Sequence, residues 1–216
     1  MASGDAFEDA VRLARETPTL DIGCHLVLVQ GRSLATGERL PEKPAQLLTA
    51  LLRKQIDVQI ELRSQIEKII HAGIRPSHLD SHKHTHLLPN VFREVVRLAQ
   101  EFRIPYVRLP IGVLASRAYR RVARQHGVRM TDHFLGFRFT GSLDEKTLAE
   151  TLAALPDGTT EFMCHPGYLG TELAAAATRL KESRVRELEA LTSQRVREII
   201  AAQQIELTNF AALAKT

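Results

Sequence analysis

The amino-acid sequence predicts an α/β fold built on parallel strands, and three observations carry that reading. Short apolar, β-branched runs alternate along the chain with stretches of helical period; that order implies parallel strands joined by right-handed crossovers. The 216 residues, 44% hydrophobic and 25% charged, are enough for one domain with a buried core, and no repeat, low-complexity segment or long linker divides them. Titratable side chains gather where predicted strands run out into loops, the carboxyl ends at which α/β proteins place functional groups. Periodicity leaves open whether the sheet is open or closed into a barrel.

The strands are read in order as 21–29 (DIGCHLVLV), 77–81 (SHLDS), 106–110 (YVRLP), 129–134 (RMTDHF), 161–165 (EFMCH) and 205–210 (IELTNF). The first is apolar on both parities, as in a strand covered on both faces. Between them, Val58, Ile60, Leu62, Ile66, Ile69 and Ile70 recur at helical spacing up to Gly73, with Pro76 beyond. The next helix opens on Pro89 and turns Val91, Val95, Leu98 and Phe102 to one face. DEKTLAETLAAL (144–155) and one long stretch, LKESRVRELEALTSQRVREIIAAQ (180–203), complete the helices.

Charge excludes some functions. The formal net charge is only +4, the lysines and arginines are interleaved with glutamates along helices, and 5% of residues are aromatic. Those are solvated helix faces, so no nucleic-acid partner is expected. No apolar run approaches a membrane span and no signal peptide is read, so a cytoplasmic protein is expected. Cys24 and Cys164 form no CxxC pair, which agrees with a reducing compartment. Each precedes a histidine and therefore points to the opposite strand face, as a small core residue.

The densest signal is HLDSHKHTH, residues 78–86, which holds four of the nine histidines together with Asp80. If the segment stays extended, His78, Asp80, His82, His84 and His86 share one side. Such a face cannot be core, because buried imidazoles and carboxylates need partners. A solvated loop would explain one histidine; four with an aspartate point to a site for a divalent ion, through imidazole nitrogen and carboxylate oxygen. His25 in GCHLVL and His165 in EFMCHPGY lie on other predicted strands. A lone histidine in an apolar strand is more often a satisfied core residue, and only convergence of strand ends in one sheet argues otherwise.

HLDSHKHTHLLPNVFREVVRLAQEFRIPYVRLP, together with IGCHLVLVQGR, TDHFLGF and EFMCHPGY, resembles the YdjC/ChbG-like family of carbohydrate deacetylases, and within it the hopanoid-biosynthesis-associated, HpnK-like branch. The resemblance runs over essentially the whole chain. It implies a single domain over residues 1–216, a distorted (β/α) barrel of the polysaccharide-deacetylase type. It implies a metal-dependent hydrolase that removes the acetyl group from an N-acetylated amino sugar, with magnesium or zinc as cofactor and, in that branch, a hopanoid-linked N-acetylglucosamine as substrate. Position by position, it makes His25 and His82 metal ligands with His84 next, sets Asp80 and His86 in the catalytic lining, and puts His165 near the leaving nitrogen. Histidine suits protonation of a departing amine near pH 7.

The chain departs from the family in one respect. Members usually begin with a strand carrying an aspartate pair, in a context like ADDFG, whereas this sequence opens on MASGDAFEDA. The expectation is an N-terminally truncated barrel, with Asp5 and Asp9 serving the first helix as caps rather than catalysis. A barrel without its first strand would expose an open seam, which favours association between copies. The rival expectation is a truncated, non-catalytic metal- or sugar-binding relative.

Overall fold

A computed structural model describes residues 1–110 and 113–215. The chain packs as two compact units, Met1–Met130 with Thr208–Thr216, and Thr131–Leu207.

The first unit is a three-stranded parallel sheet with helices between its strands. Helix α1 (Phe7–Glu16) leads to β1 (Cys24–Leu26); α2 (Pro44–Leu52) and α3 (Val58–His71) lead to β2 (His78–Ser81); α4 (Pro89–Glu101) leads to β3 (Tyr106–Val107), and α5 (Val113–Gln125) follows. The strand order is β1-β2-β3, and a parallel bridge from Tyr106 to Arg129 extends the sheet by one position. The register sets His25 beside Asp80 and Leu26 beside Ser81.

Helix α3 starts where Asp57 accepts a hydrogen bond from the Ile60 N–H at 3.0 Å, the N-cap that satisfies an otherwise orphaned donor. It ends as predicted, at Gly73 with φ +83°. Its Leu62 and Ile66 join Leu26, Leu28 and Leu79 of the strand segments and Phe92, Val95 and Leu98 of α4 in one buried cluster.

The strand expected over 21–29 is paired only over Cys24–Leu26. Beyond it the backbone stays buried and finds a different partner. The Val27 N–H donates to Gln65 Oε1 at 2.8 Å, and the Gln65 Nε2 amide donates to the Val27 carbonyl at 2.7 Å. One side-chain amide thus supplies both halves of a missing strand neighbour.

The second unit pairs β4 (His133–Leu135) with β5 (Thr160–Phe162) in parallel, and adds α6 (Glu145–Ala153), α7 (Thr171–Ala175), α8 (Glu182–Thr192) and α9 (Gln194–Ala202). Leu143, Leu148, Leu152, Ala190 and Val196 form its core. Gly136, at φ +92°, carries the chain past β5 so closely that a Cβ would lie 2.0 Å from the Met163 carbonyl oxygen; only glycine fits there.

Two expectations need correction here. The long helix over 180–203 is broken at Ser193, which is extended (φ −69°, ψ 148°) and whose hydroxyl accepts the Val196 N–H, capping α9. The strand expected over 205–210 does not form. Asn209 instead caps a short helix, Phe210–Leu213, by accepting the Ala212 N–H at 2.8 Å; a local side-chain cap outcompetes strand propensity. Among the described residues the paired strands form these two parallel sheets, and their pairing defines no closed barrel. No helix is long and apolar enough to cross a membrane.

Candidate metal and catalytic site

Three neighbouring strands of the first unit each bring one polar side chain to their carboxyl ends. Asp80 of β2 is buried, and its Oδ2 accepts from His25 Nδ1 at 2.9 Å and from Arg108 Nη1 at 2.5 Å. Arg108 directly follows β3 and is held by its own N–H, which donates to the Leu79 carbonyl at 2.9 Å. Burial opposes the charge on Asp80, but the bond from His25 and the charge of Arg108 override it and hold the carboxyl well below the usual carboxylate range. An aspartate so held stays ionised and is a weak proton acceptor. Its part is to orient His25: with Nδ1 committed to the carboxylate, the other ring nitrogen, Nε2, is the one left for a ligand, the arrangement by which carboxylates steer metal-binding imidazoles.

The extended reading of residues 82–86 is overturned. β2 ends at Ser81, and His82–Leu87 form a 3₁₀ turn in which Lys83 (φ 50°, ψ 29°) and His84 (φ 52°, ψ 37°) are left-handed. The period-two alignment is lost, and the histidines separate into pairs. His82 turns to His25, ring centres 5.7 Å apart and edge to face, and its Nε2 meets Gln30 Oε1 at 2.9 Å. His84 lies against His86, ring centres 5.8 Å apart. His78 leaves the cluster: its ring stacks on Phe210 at 4.2 Å, and a Cβ on Gly23 would come within 2.3 Å of it. It is a packing residue.

Protonation suits ligand chemistry. Burial, helped by the neighbouring His25 and Lys83, pushes His82 down to about 4, so its imidazole is neutral at pH 7. Burial and the adjacent His84 push His86 down to about 3. The His86 N–H donates to Ser81 Oγ at 2.9 Å and its Nδ1 meets the same hydroxyl at 2.5 Å, while Nε2 has no hydrogen-bond partner among the described residues. Buried polar atoms are normally hydrogen-bonded, so this nitrogen marks a place in the fold that calls for a partner.

His165 belongs to the second unit, just after β5. Helix α8 grips both of its backbone groups: the N–H donates to the buried Glu187 carboxylate, and the carbonyl accepts from Arg184 Nη1 at 3.4 Å. Cys24 is a core residue, as expected, its thiol pushed up to about 12 by burial, and Cys164 packs half-buried against the second core.

Sequence reasoning missed Arg108, Gln30, Ser81 and Glu187. Arg108 carried a signal, a lone charge inside the apolar run YVRLP. Gln30 ends the run GCHLVLVQ and carried none, while Glu187 was hidden in a helix whose charges read as solvated.

The spacing of the His25 and His82 rings would admit a divalent ion between them. With metal–nitrogen bonds of about 2.1 Å, two imidazoles on one tetrahedral ion have ring centres roughly 5–6 Å apart, and the observed separation is 5.7 Å. Among the described residues no group of three or more His, Cys, Asp or Glu side chains is arranged to hold a metal. With an ion bound, the pair would be a two-donor set whose remaining positions would fall to water or substrate oxygen.

The profile of the YdjC-like protein family matches residues 1–202, a span that includes His25, the 78–86 cluster and His165. The chain belongs to the YdjC-like family. Its relatives include proteins named carbohydrate deacetylase from Clostridium beijerinckii (33% identical, over 97% of this chain and 85% of that protein) and Geobacillus stearothermophilus (33%, 97% and 83%). The crystal structure of a candidate cellobiose-phosphate cleavage protein from Enterococcus faecalis is similar with a TM-score of 0.81 at 25% identity, covering 99% of this chain and 85% of that one. The YdjC-like fold therefore extends over nearly all of this polypeptide.

Proposed function

We propose that this chain is a carbohydrate deacetylase, hydrolysing the acetamide of an N-acetylated amino sugar to acetate and a free amine with the help of a divalent ion at His25 and His82. The observation that carries the reading is the Asp80–His25 pair beside His82 at strand carboxyl ends, in a chain a third identical to carbohydrate deacetylases. The same reading treats the parallel sheets as parts of a deacetylase-type barrel.

When bound, a divalent ion, magnesium or zinc, would polarise the acetyl carbonyl and bring the pKa of a water molecule toward neutrality. The protein's own residues supply the rest. His25, oriented by Asp80, and the neutral His82 present imidazole nitrogens, with His84 as the reserve donor. Arg108 keeps Asp80 ionised, so the orienting bond persists across the working pH. His86 offers Nε2 to the sugar or its acetyl oxygen. His165, its backbone fixed by α8, gives its proton to the nitrogen as the carbon–nitrogen bond breaks; water's oxygen ends in acetate, and the amine leaves neutral.

Acetate release from N-acetylglucosamine oligomers and from a hopanoid-linked N-acetylglucosamine, each with and without chelator, tests the reaction and its substrate. Chelator-sensitive release from either supports it, preferential release from the hopanoid conjugate supports the glycolipid substrate, and no release from any acetylated amino sugar sinks it. The second reading, a non-catalytic metal- or sugar-binding protein, is favoured by the two-donor character of the site; sugar binding without acetate release would select it.

A further inference from the structure

We infer that Gln30 is a positioning residue for His82: its amide oxygen holds the ring through Nε2–H and leaves Nδ1 as the nitrogen for a ligand. His82 Nε2 lies 2.9 Å from Gln30 Oε1. An amide oxygen only accepts, so Nε2 carries the proton. A neutral imidazole has one such proton, and Nδ1 is therefore bare. His25 is held the opposite way, with Nδ1 committed to Asp80 Oδ2 at 2.9 Å and Nε2 left over. The two rings meet edge to face, 5.7 Å between centres, each anchored by an acceptor of its own. Metal-binding imidazoles ordinarily have their second ring nitrogen committed in this way; Asp80 does this for His25, and Gln30 does it for His82. The consequence for an ion rests on the deacetylase reading, whereas the bond from His82 to Gln30 is a property of the chain alone.

The backbone around Gln30 is built to aim that amide. Gln30 is left-handed, at φ 64°, a conformation uncommon outside glycine, and Gly31 follows at φ 78°. The Gln30 N–H donates to the Pro41 carbonyl at 2.8 Å, the Leu40 N–H to the Gly31 carbonyl at 3.0 Å, and the Ser33 N–H to the Glu38 carbonyl at 2.9 Å. Residues 30–41 thus close on themselves, with Gln30 at the base. Helix α3 secures the far end, where the buried Glu61 accepts the N–H groups of Leu34 and Ala35, both at 3.1 Å. Backbone strain of this kind persists where the surroundings over-determine it, and it gathers at ligand sites. Glycine would adopt the same φ without strain but could not reach the ring. The glutamine side chain is present in spite of the local backbone preference, and its printed contact is with His82.

Nitrogen-15 NMR of the metal-free whole chain at pH 8, where the ring is neutral, reads which His82 nitrogen carries the proton. The expected result is a single Nε2–H form whose proton exchanges slowly with water. In Gln30→Met, which keeps the length and removes the acceptor, that proton should exchange about tenfold faster, the share of one hydrogen bond, and some Nδ1–H form should appear. Gln30→Gly should behave alike while its fold is retained, since the left-handed position suits glycine; it keeps the test informative if Gln30→Met unfolds. Gln30→Glu, an acceptor of the same reach, should restore the slow proton. Zinc titration should then weaken about 10–100-fold in Gln30→Met and recover in Gln30→Glu. A proton on Nδ1 in the parent, or a slow Nε2 proton that survives in both Gln30→Met and Gln30→Gly, would overturn the inference. A parent chain that binds no zinc would count against the deacetylase reading, while the proton signal would still decide whether Gln30 holds the ring.

Discussion

Asp80 shows how much of this site rests on a single carboxylate. Its Oδ2 receives both His25 and Arg108, and the Arg108 side chain is only 11% exposed. Asp80→Asn keeps the size and removes the carboxylate charge facing the largely buried Arg108; breaking such a pair costs about 3–5 kcal/mol. The same change releases His25 from its orienting partner, and metal affinity should fall roughly 10–100-fold. Thermal melting and a metal titration of the variant check both, and a variant that melts and binds as the parent does would remove Asp80 from its role. The cysteines give a second outcome at this scale. Cys24 is fully buried with its thiol raised, and Cys164 is partly exposed, so brief alkylation of the native protein should label Cys164 first, as peptide mass mapping will show.

At the scale of elements, side chains replace backbone partners in two places. Gln65 pairs with both Val27 backbone groups at the edge of β1 and also donates to Glu61 at 2.6 Å. Glu61 in turn accepts the N–H groups of Leu34 and Ala35, both at 3.1 Å. Helix α3 therefore pins the loop that follows β1, and that loop carries Gln30 to His82. Gln65→Leu preserves bulk but orphans a buried donor and a buried acceptor, at about 1–3 kcal/mol each; a fall in the urea midpoint of matching size is expected, and an unchanged midpoint would show that water takes over. Ser193 offers a test of opposite sign to propensity. In the middle of one long helix, Ser193→Ala would stabilise; as the cap of α9 it should destabilise by about 1 kcal/mol, and chemical denaturation distinguishes the two.

At the scale of the whole molecule, the proposed chemistry gives His25 and His165 separable parts. His25→Ala should lose both metal and turnover. His165→Asn should keep its metal while turnover falls roughly 10²–10⁴-fold, the usual contribution of a general acid. Elemental analysis beside acetate release distinguishes these outcomes, and loss of metal from His165→Asn would show that the residue was assigned the wrong part.

The sequence by itself determined the α/β class, the helices of α3 and α4 and the core placement of Cys24, and it singled out the 78–86 segment as one whose imidazoles need partners. Each follows from local chemistry: apolar period, caps, and an imidazole density that no core would tolerate. What it could not determine was which histidines meet. Alternation along an extended strand put five side chains on one face, but a left-handed kink at Lys83 and His84 re-aimed them, and no apolar pattern announces such a kink. Nor could a one-dimensional pattern reveal that Arg108, 28 positions beyond Asp80, would be its counter-ion, because that pairing exists only once β2 and β3 lie side by side. Ser193 and Asn209 could have been read either way, as interior residues or as caps. Packing decided, since a side-chain oxygen caps a helix only where the chain enters it from an extended conformation.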